Sequence, residues 1–128
     1  MEVLSHNDGL LTNVEVLELL EERRASRTLA PHHNVALQDR EHVELQTIRY
    51  IKSSMVKDTT SHSAIKGLNA IKKLKLDLTE GEMIQIANHV PICEVEIHAI
   101  VEECTARLTS DQITELLSVV KDVMVVEN

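Results

Sequence analysis

The 128-residue sequence contains neither tryptophan nor phenylalanine, and it has one tyrosine, three glycines and two prolines. Without large aromatic side chains, a core must be built from Leu, Ile, Val and Met, which favours closely packed helices. So few glycines and prolines supply too little turn chemistry for an all-β fold. The two cysteines, Cys93 and Cys104, form no C-x-x-C pair, which argues against a disulfide framework or a structural zinc site.

The sequence also has no run that reads as a signal peptide or a membrane span. Glu2, His6 and Asp8 interrupt the start of the chain, so we expect a soluble, intracellular protein. The net charge of −8 argues against general attraction to nucleic acid phosphates. This charge is uneven: residues 1–75 carry 11 basic and 10 acidic groups, whereas residues 76–128 carry 2 and 11.

One phrase that marks helix starts occurs three times. In Leu78-Thr79-Glu80-Gly81-Glu82-Met83, Thr79 is expected to cap the helix, Glu82 to bond back to the Thr79 amide, and Leu78 to pack on Met83. The phrase recurs at Leu11-Thr12-Asn13-Val14-Glu15-Val16 and at Leu108-Thr109-Ser110-Asp111-Gln112-Ile113. Three such matches, each before an apolar run, predict three helix starts.

Periodicity and turn signals divide the chain into six predicted helices. We expect a first helix over residues 14–27, a loop to residue 39, and a second helix capped by Asp39 that runs to about Met55. Residues 57–63 read as a linker, and a third helix follows with Ile65 and Ile71 facing inward. The remaining helices start at Thr79, near Cys93 and at Thr109, the middle one with an apolar stripe of Ile97, Ile100, Val101, Cys104 and Leu108.

No catalytic, cofactor or metal-binding pattern stands out. The sequence has no G-x-S-x-G and no glycine-rich phosphate loop, and none of its seven histidines has an acidic partner at a diagnostic ligand spacing. Glu102 and Glu103 read as a solvated helix face. The run Lys72-Lys73-x-Lys75 reads as a surface helix end, because no aromatic residues interleave it for base stacking. We therefore predict no enzyme, no cofactor and no metal.

The apolar residues of the N-terminal part are too many for a two-sided surface helix. Val16, Leu17 and Leu20 cover a broad arc of the first helix, and Val3 and Leu4 precede it without a strand partner in the chain. Such an arc is either core or a partner-binding face. Residues 1–57 offer too little material to enclose it, so we expect this part to order fully only with a partner, and residues 61–124 to fold alone.

Two blocks carry a recognisable pattern. They are Asn88-His89-x-Pro91 continuing through Val95-Glu96-Ile97-x-x-Ile100-Val101-Glu102-Glu103-x-x-x-Arg107-Leu108-Thr109-x-x-Gln112-Ile113-x-x-Leu116-Leu117, and Leu11-Thr12-Asn13-x-Glu15-Val16-x-x-Leu19-Leu20. Together they resemble the small helical stalk subunit of RNA polymerase III. This family is also known as the calcitonin-gene-related-peptide receptor component and is related to the RNA polymerase II stalk subunit. Cys93 and Val90 depart from the Thr and Arg usual in the family.

The resemblance implies an all-α fold with an N-terminal tip-associated segment, residues 1–57, and a bundle like the helicase and RNase D C-terminal (HRDC) domain, residues 58–128. It implies a non-catalytic nuclear subunit that pairs with an OB-fold stalk subunit, joins the polymerase III core and helps initiation factors to engage it. In the family, the tip-associated segment packs along the OB-fold subunit. This favours the partner-binding interpretation of Val3, Leu4, Val16, Leu17 and Leu20.

Two alternatives stay open from the sequence. The equivalent stalk subunit of RNA polymerase II has the same fold class, although the block from Pro91 to Leu117 favours the polymerase III branch. A free HRDC-like module that binds nucleic acid is the second alternative, and binding to single-stranded DNA at moderate salt would separate it from a stalk subunit. We expect direct nucleic acid binding to be weak or absent, and no membrane partner.

Overall fold

A computed structural model of the chain describes residues 2–5, 9–28, 35–54, 56 and 58–125. Within these ranges the chain forms seven helices and no strands, which confirms the predicted all-α fold. They are α1 (Asn13–Thr28), α2 (Val35–Ser53), α3 (Ser61–Lys73), α4 (Glu80–His89), α5 (Glu94–Ile100), α6 (Cys104–Arg107) and α7 (Ser110–Met124). None of these helices has the length and apolar character needed to cross a membrane.

The three predicted helix starts are present, each closed by reciprocal hydrogen bonds. At α4, Thr79 Oγ1 accepts from the Glu82 amide at 3.2 Å, and Glu82 Oε2 accepts from the Thr79 amide at 2.9 Å. The same pair of bonds joins Thr12 to Glu15 and Thr109 to Gln112. These bonds satisfy amides of the first turn that have no partner within the helix.

The predicted helix that starts near Cys93 is interrupted, so its apolar stripe is shared by two helices. After α5 the backbone becomes extended at Val101 (φ −93°, ψ 118°) and left-handed at Glu103 (φ 49°, ψ 43°), and α6 then begins. Ile97, Val101, Cys104 and Leu108 are all buried nonetheless. The apolar spacing predicted the buried face, but it did not reveal the turn between its two halves.

Three details of the first half differ from the prediction. Helix α2 begins at Val35, so Asp39 lies within the helix and is not its cap. Helix α3 begins at Ser61 behind its cap Thr60, so the linker predicted at residues 57–63 is shorter. Ile65 faces outward, with 47% of its surface exposed. The loop was predicted to continue to residue 39, but residues 35–39 belong to α2; residues 29–34 lie outside the described residues.

One hydrophobic core connects both halves of the chain. Helix α3 packs against α7 and α4, and α1 packs against both α2 and α3. Val56, just before α3, is completely buried. The core consists of Val14, Leu17, Ile48, Ile51, Val56, Ile71, Ile86, Ala87, Val90, Ile97, Val101, Cys104, Leu108, Ile113, Leu116, Val120 and Met124. The division into independent segments at residues 57 and 58 stays a prediction.

Candidate protein-docking surfaces

The five residues predicted to bind a partner lie in two environments. Val3 and Leu4 are 58% and 91% exposed, in the non-helical segment that precedes α1. Leu17 is only 8% exposed and belongs to the core, while Val16 and Leu20 are partly buried against that core. Leu10 and Leu11, which lie just before α1, are each about half exposed. We call the exposed residues Val3, Leu4, Leu10 and Leu11 the leader surface.

Two hydrogen bonds fix the helix that follows this leader. The Asn13 amide at the start of α1 donates to Asn88 Oδ1 at 2.7 Å, near the end of α4. One turn further on, Glu18 Oε1 accepts from the Ser61 amide at 3.0 Å, at the start of α3. The hydrogen bonds from Ser61 hold the pKa of Glu18 below its usual value. Helix α1 is therefore fixed to the bundle, and the leader extends from its anchored end.

The pairing of α1 with α2 rests on a buried carboxylate. Glu44 lies between Arg27 and Arg40, and it forms an ion pair with each of them. Burial alone would raise the pKa of Glu44, but the hydrogen bonds and charges of the two arginines outweigh that effect and hold the pKa below its usual value. This contact joins Arg27 of α1 to Glu44 of α2 and supports the helix pair.

A second exposed apolar surface lies at the α4–α5 turn, and the sequence reading did not identify it. Val90 and Pro91 are buried, whereas the next residue, Ile92, is 68% exposed and Val95 is 75% exposed. Glu96 Oε2 accepts from the Ile92 amide at 2.6 Å and from the Cys93 amide at 3.3 Å. The sequence did contain a signal for this surface: Ile92 and Val95 are apolar but do not belong to the periodic stripe that is buried in α5.

The groups considered for metal or nucleic acid binding are dispersed. Among the described residues, no three His, Cys, Asp or Glu side chains come together to hold a metal ion. Cys93 is exposed and Cys104 is buried. Lys72, Lys73 and Lys75 are exposed around the end of α3, as predicted for a surface helix end. Glu102 and Glu103 are exposed in the turn between α5 and α6, rather than on a helix.

Among the described residues, exposed large apolar side chains occur next to one another before α1 and at the α4–α5 turn, and others lie singly on the helices at Leu19, Val43, Tyr50 and Ile65. Grouped apolar side chains at a surface often mark a site where another protein docks. The family model described as RNA polymerase Rpb4 matches residues 10–124, and the chain belongs to this family. It is thus an RNA polymerase subunit. The match includes both sequence blocks that carried the resemblance.

A relative in Dictyostelium discoideum identifies the branch that this chain resembles. The DNA-directed RNA polymerase III subunit rpc9 of that organism is 29% identical to it over 110 residues. The aligned part covers 83% of this chain and 78% of the relative. The resemblance to RNA polymerase III stalk subunits, drawn from the sequence, is confirmed.

Proposed function

We propose that this chain is a non-catalytic stalk subunit of RNA polymerase III that acts in the nucleus. It pairs there with an OB-fold stalk subunit and supports the engagement of initiation factors with the polymerase core. The observation that carries this proposal is the family match over residues 10–124, together with the similarity to a polymerase III subunit. The absence of any catalytic pattern in the sequence is consistent with a role in assembly.

The leader surface is the part of the chain proposed to contact the OB-fold subunit. Leu4 is the most exposed of the large apolar residues described, and Val3 lies beside it. Covering such side chains gains roughly 25 cal/mol for each Å² of apolar surface removed from water. Val16 and Leu20, at the edge of the core, extend this surface along α1. Leu17 lies in the core, against which Val16 and Leu20 pack, and contributes to the position of α1 rather than to the exposed surface.

Co-expression with the OB-fold stalk subunit tests the pairing. Leu4→Asp should abolish co-purification while leaving the thermal unfolding of the isolated chain unchanged, because Leu4 makes little contact within its own chain. Val43→Asp on α2 is the matched control, since Val43 is equally apolar and well exposed. Leu17→Asp should instead unfold the chain, because it places a carboxylate in the core. Normal pairing of the Leu4→Asp chain would contradict the proposed role of the leader.

The choice of polymerase needs a separate measurement. Affinity purification of the tagged chain from nuclear extract should recover the largest subunit of RNA polymerase III and not that of RNA polymerase II. Recovery of the polymerase II subunit instead would assign the chain to the other branch. Tight binding of the isolated chain to single-stranded DNA at moderate salt would favour the free nucleic-acid-binding module.

A further inference from the structure

Two exposed apolar residues lie on the outer face of α5, and a third lies just before the helix. Val95 and Ala99 are four positions apart, so they lie on the same side of the helix. Ile92 precedes the helix by two positions, and its amide donates to Glu96 Oε2 at 2.6 Å, so its backbone lies beside the first turn of α5. All three are exposed, Ile92 and Val95 by more than two-thirds. We call Ile92, Val95 and Ala99 the α5 face.

The fold itself does not account for this face. Ile92 occupies the position before the Cys93 cap, from which an apolar residue often packs on the fourth residue of the helix, here Ile97. Ile97 is completely buried, yet Ile92 remains 68% exposed, so Ile92 contributes little to that contact. The other side of α5 already packs against α4 and α7. The α5 face is therefore additional to the core.

The turns on either side of α5 each contain one residue in a left-handed backbone conformation: Val90 at the end of α4 and Glu103 at the start of α6. Val90 has φ 47° and Glu103 has φ 49°, and these are two of the three residues other than glycine with positive φ in the described ranges. For a β-branched residue such as Val90 this conformation is a genuine outlier. Backbone strain of this kind tends to occur at functional sites. In this chain it occurs in the two turns that flank α5.

The surroundings of the α5 face are strongly acidic. Residues 92–103 contain four glutamates and neither lysine nor arginine. All four glutamates, Glu94, Glu96, Glu102 and Glu103, are exposed. The nearest arginine in the sequence, Arg107, is bound to Glu82 through both of its terminal nitrogens and is not free to balance this charge. An apolar face in such surroundings complements a basic partner that also presents apolar side chains.

We infer that the α5 face is a docking site for a basic protein segment that presents at least two apolar side chains. The glutamates attract the segment and align it, and the apolar contacts of Ile92 and Val95 hold it. This site consists of residues of α5 and the turn before it, whereas the leader surface proposed to bind the OB-fold subunit consists of residues before α1. It goes beyond the proposed function, and its first test requires no polymerase.

Two synthetic peptides of about 18 residues, long enough to form helices when bound, serve as probes. One is an amphipathic helix of Leu and Lys, and the other carries Glu in place of every Lys. Titration into the isotope-labelled isolated chain should shift the amide resonances of residues 92–102 with the Leu/Lys peptide only. Shifts centred elsewhere on the chain, or equal shifts with the Leu/Glu peptide, would overturn the inference.

Val95→Asp separates apolar docking from simple charge attraction. It adds a negative charge, so a purely electrostatic interaction with the Leu/Lys peptide should strengthen. If the α5 face docks the apolar side of the peptide, affinity should instead fall at least about tenfold. The variant should stay folded, because a carboxylate in the first turn of a helix is favourable. Val43→Asp, which adds the same charge on α2, should not weaken binding; affinity kept or raised in Val95→Asp would refute the inference.

A second experiment uses the assembled polymerase. A photo-reactive amino acid in place of Ile92 should cross-link to a segment rich in Lys and Arg within the polymerase or a bound initiation factor, mapped by mass spectrometry. The same amino acid in place of Val43 is the control for random proximity. A cross-linked segment of net negative charge, or the same segment from both positions, would count against the assignment.

Discussion

Arg107 binds Glu82 through both terminal nitrogens of its guanidinium group, with Nη1–Oε1 at 2.7 Å and Nη2–Oε2 at 2.8 Å. The same two nitrogens also donate to the backbone carbonyls of Glu102 and Asp77. Because Glu82 Oε2 accepts from the Thr79 amide as well, one carboxylate closes the helix cap of α4 and binds α6 to it. Arg107 of α6 is thereby bonded to α4, to the segment before α4 and to the turn before α6.

The first prediction concerns the dependence of stability on pH. The hydrogen bonds from Arg107, opposed by burial, lower the pKa of Glu82 from 4.5 to about 2. The ionised form is thus favoured in the folded state, and its contribution is complete above pH 4.5 and is lost as the pH falls toward 2. Glu82→Gln should reduce the free energy of unfolding by about 2–3 kcal/mol near neutral pH.

Urea unfolding of both proteins between about pH 7 and pH 3 checks this. The difference between wild type and Glu82→Gln should narrow by about 2 kcal/mol over that range, because the wild-type carboxylate becomes protonated on unfolding. Glu80→Gln in the same first turn is the control: Glu80 is exposed, and the change should stay within about 0.5 kcal/mol at each pH. If the difference in unfolding free energy between wild type and Glu82→Gln does not vary with pH, the charge of Glu82 makes no contribution to stability.

The second prediction concerns the helix caps. Thr79→Ala and Thr109→Ala should each lower the free energy of unfolding by about 0.5–2 kcal/mol. Each removes the hydroxyl that accepts a first-turn amide at 3.2 Å. Thr105→Ala, at an exposed position of α6, is the control and should change little. Unfolding midpoints of both cap variants equal to that of wild type would remove the capping explanation.

Much of this fold was predictable because its signals are local. A capping box is complete within six residues, so Leu78 to Met83 and Leu108 to Ile113 marked α4 and α7 without knowledge of the rest of the chain. The break between α5 and α6 was not predictable in this way. It depends on left-handed backbone at Glu103, a residue that carries no signal for that conformation.

Surface and core were harder to separate, because burial depends on contacts between distant parts of the chain. The broad apolar arc of α1 left core and partner binding open, and the structure places Leu17 in the core while Val3 and Leu4 remain exposed. Ile65 was expected to face inward from its spacing alone, but α3 turns that side outward. The α5 face was missed because Val95 and Ile92 follow no periodic pattern with the buried stripe.

The third prediction explains a glycine in the middle of α3. Gly67 is buried, and a Cβ added there would lie 2.8 Å from Met124 Cγ, which is closer than side chains tolerate. The added Cβ would also clash with Met124 Cε, at the end of the same side chain, and this side chain is buried among core residues that limit its movement. Gly67→Ala should therefore destabilise the chain by about 1–3 kcal/mol, even though alanine favours helix formation by about 1 kcal/mol.

A double-mutant cycle with Met124→Ala isolates this contact. Met124→Ala alone should cost about 2–5 kcal/mol through the cavity it leaves. In the double variant the new methyl group enters that space, so the cost should be clearly less than the sum of the two single changes. Additive costs in the cycle would mean that Gly67 is required for another reason than its contact with Met124.

The last prediction tests how α1 is attached to the bundle. The sequence led us to expect fast hydrogen exchange throughout residues 1–57 until a partner binds. The burial of Val14 and Leu17, and the bond from the Asn13 amide to Asn88, change that expectation for the first half of α1. In the isolated chain, amides of residues 14–20 should exchange slowly, and those of residues 2–5 should exchange fast.

Asn88→Ala should selectively speed up hydrogen exchange in the first half of α1. It leaves the Asn13 amide without its acceptor, at a cost of about 1 kcal/mol, so exchange of residues 14–20 should accelerate several-fold while residues 97–104 are unaffected. Asn88→Asp keeps an acceptor oxygen and places a negative charge at the start of α1, so it should preserve slow exchange. His89→Ala, at the exposed neighbouring position, is the control. Fast exchange of residues 14–20 in wild type, slowed only by the OB-fold subunit, would show that α1 orders on pairing and not on the bundle.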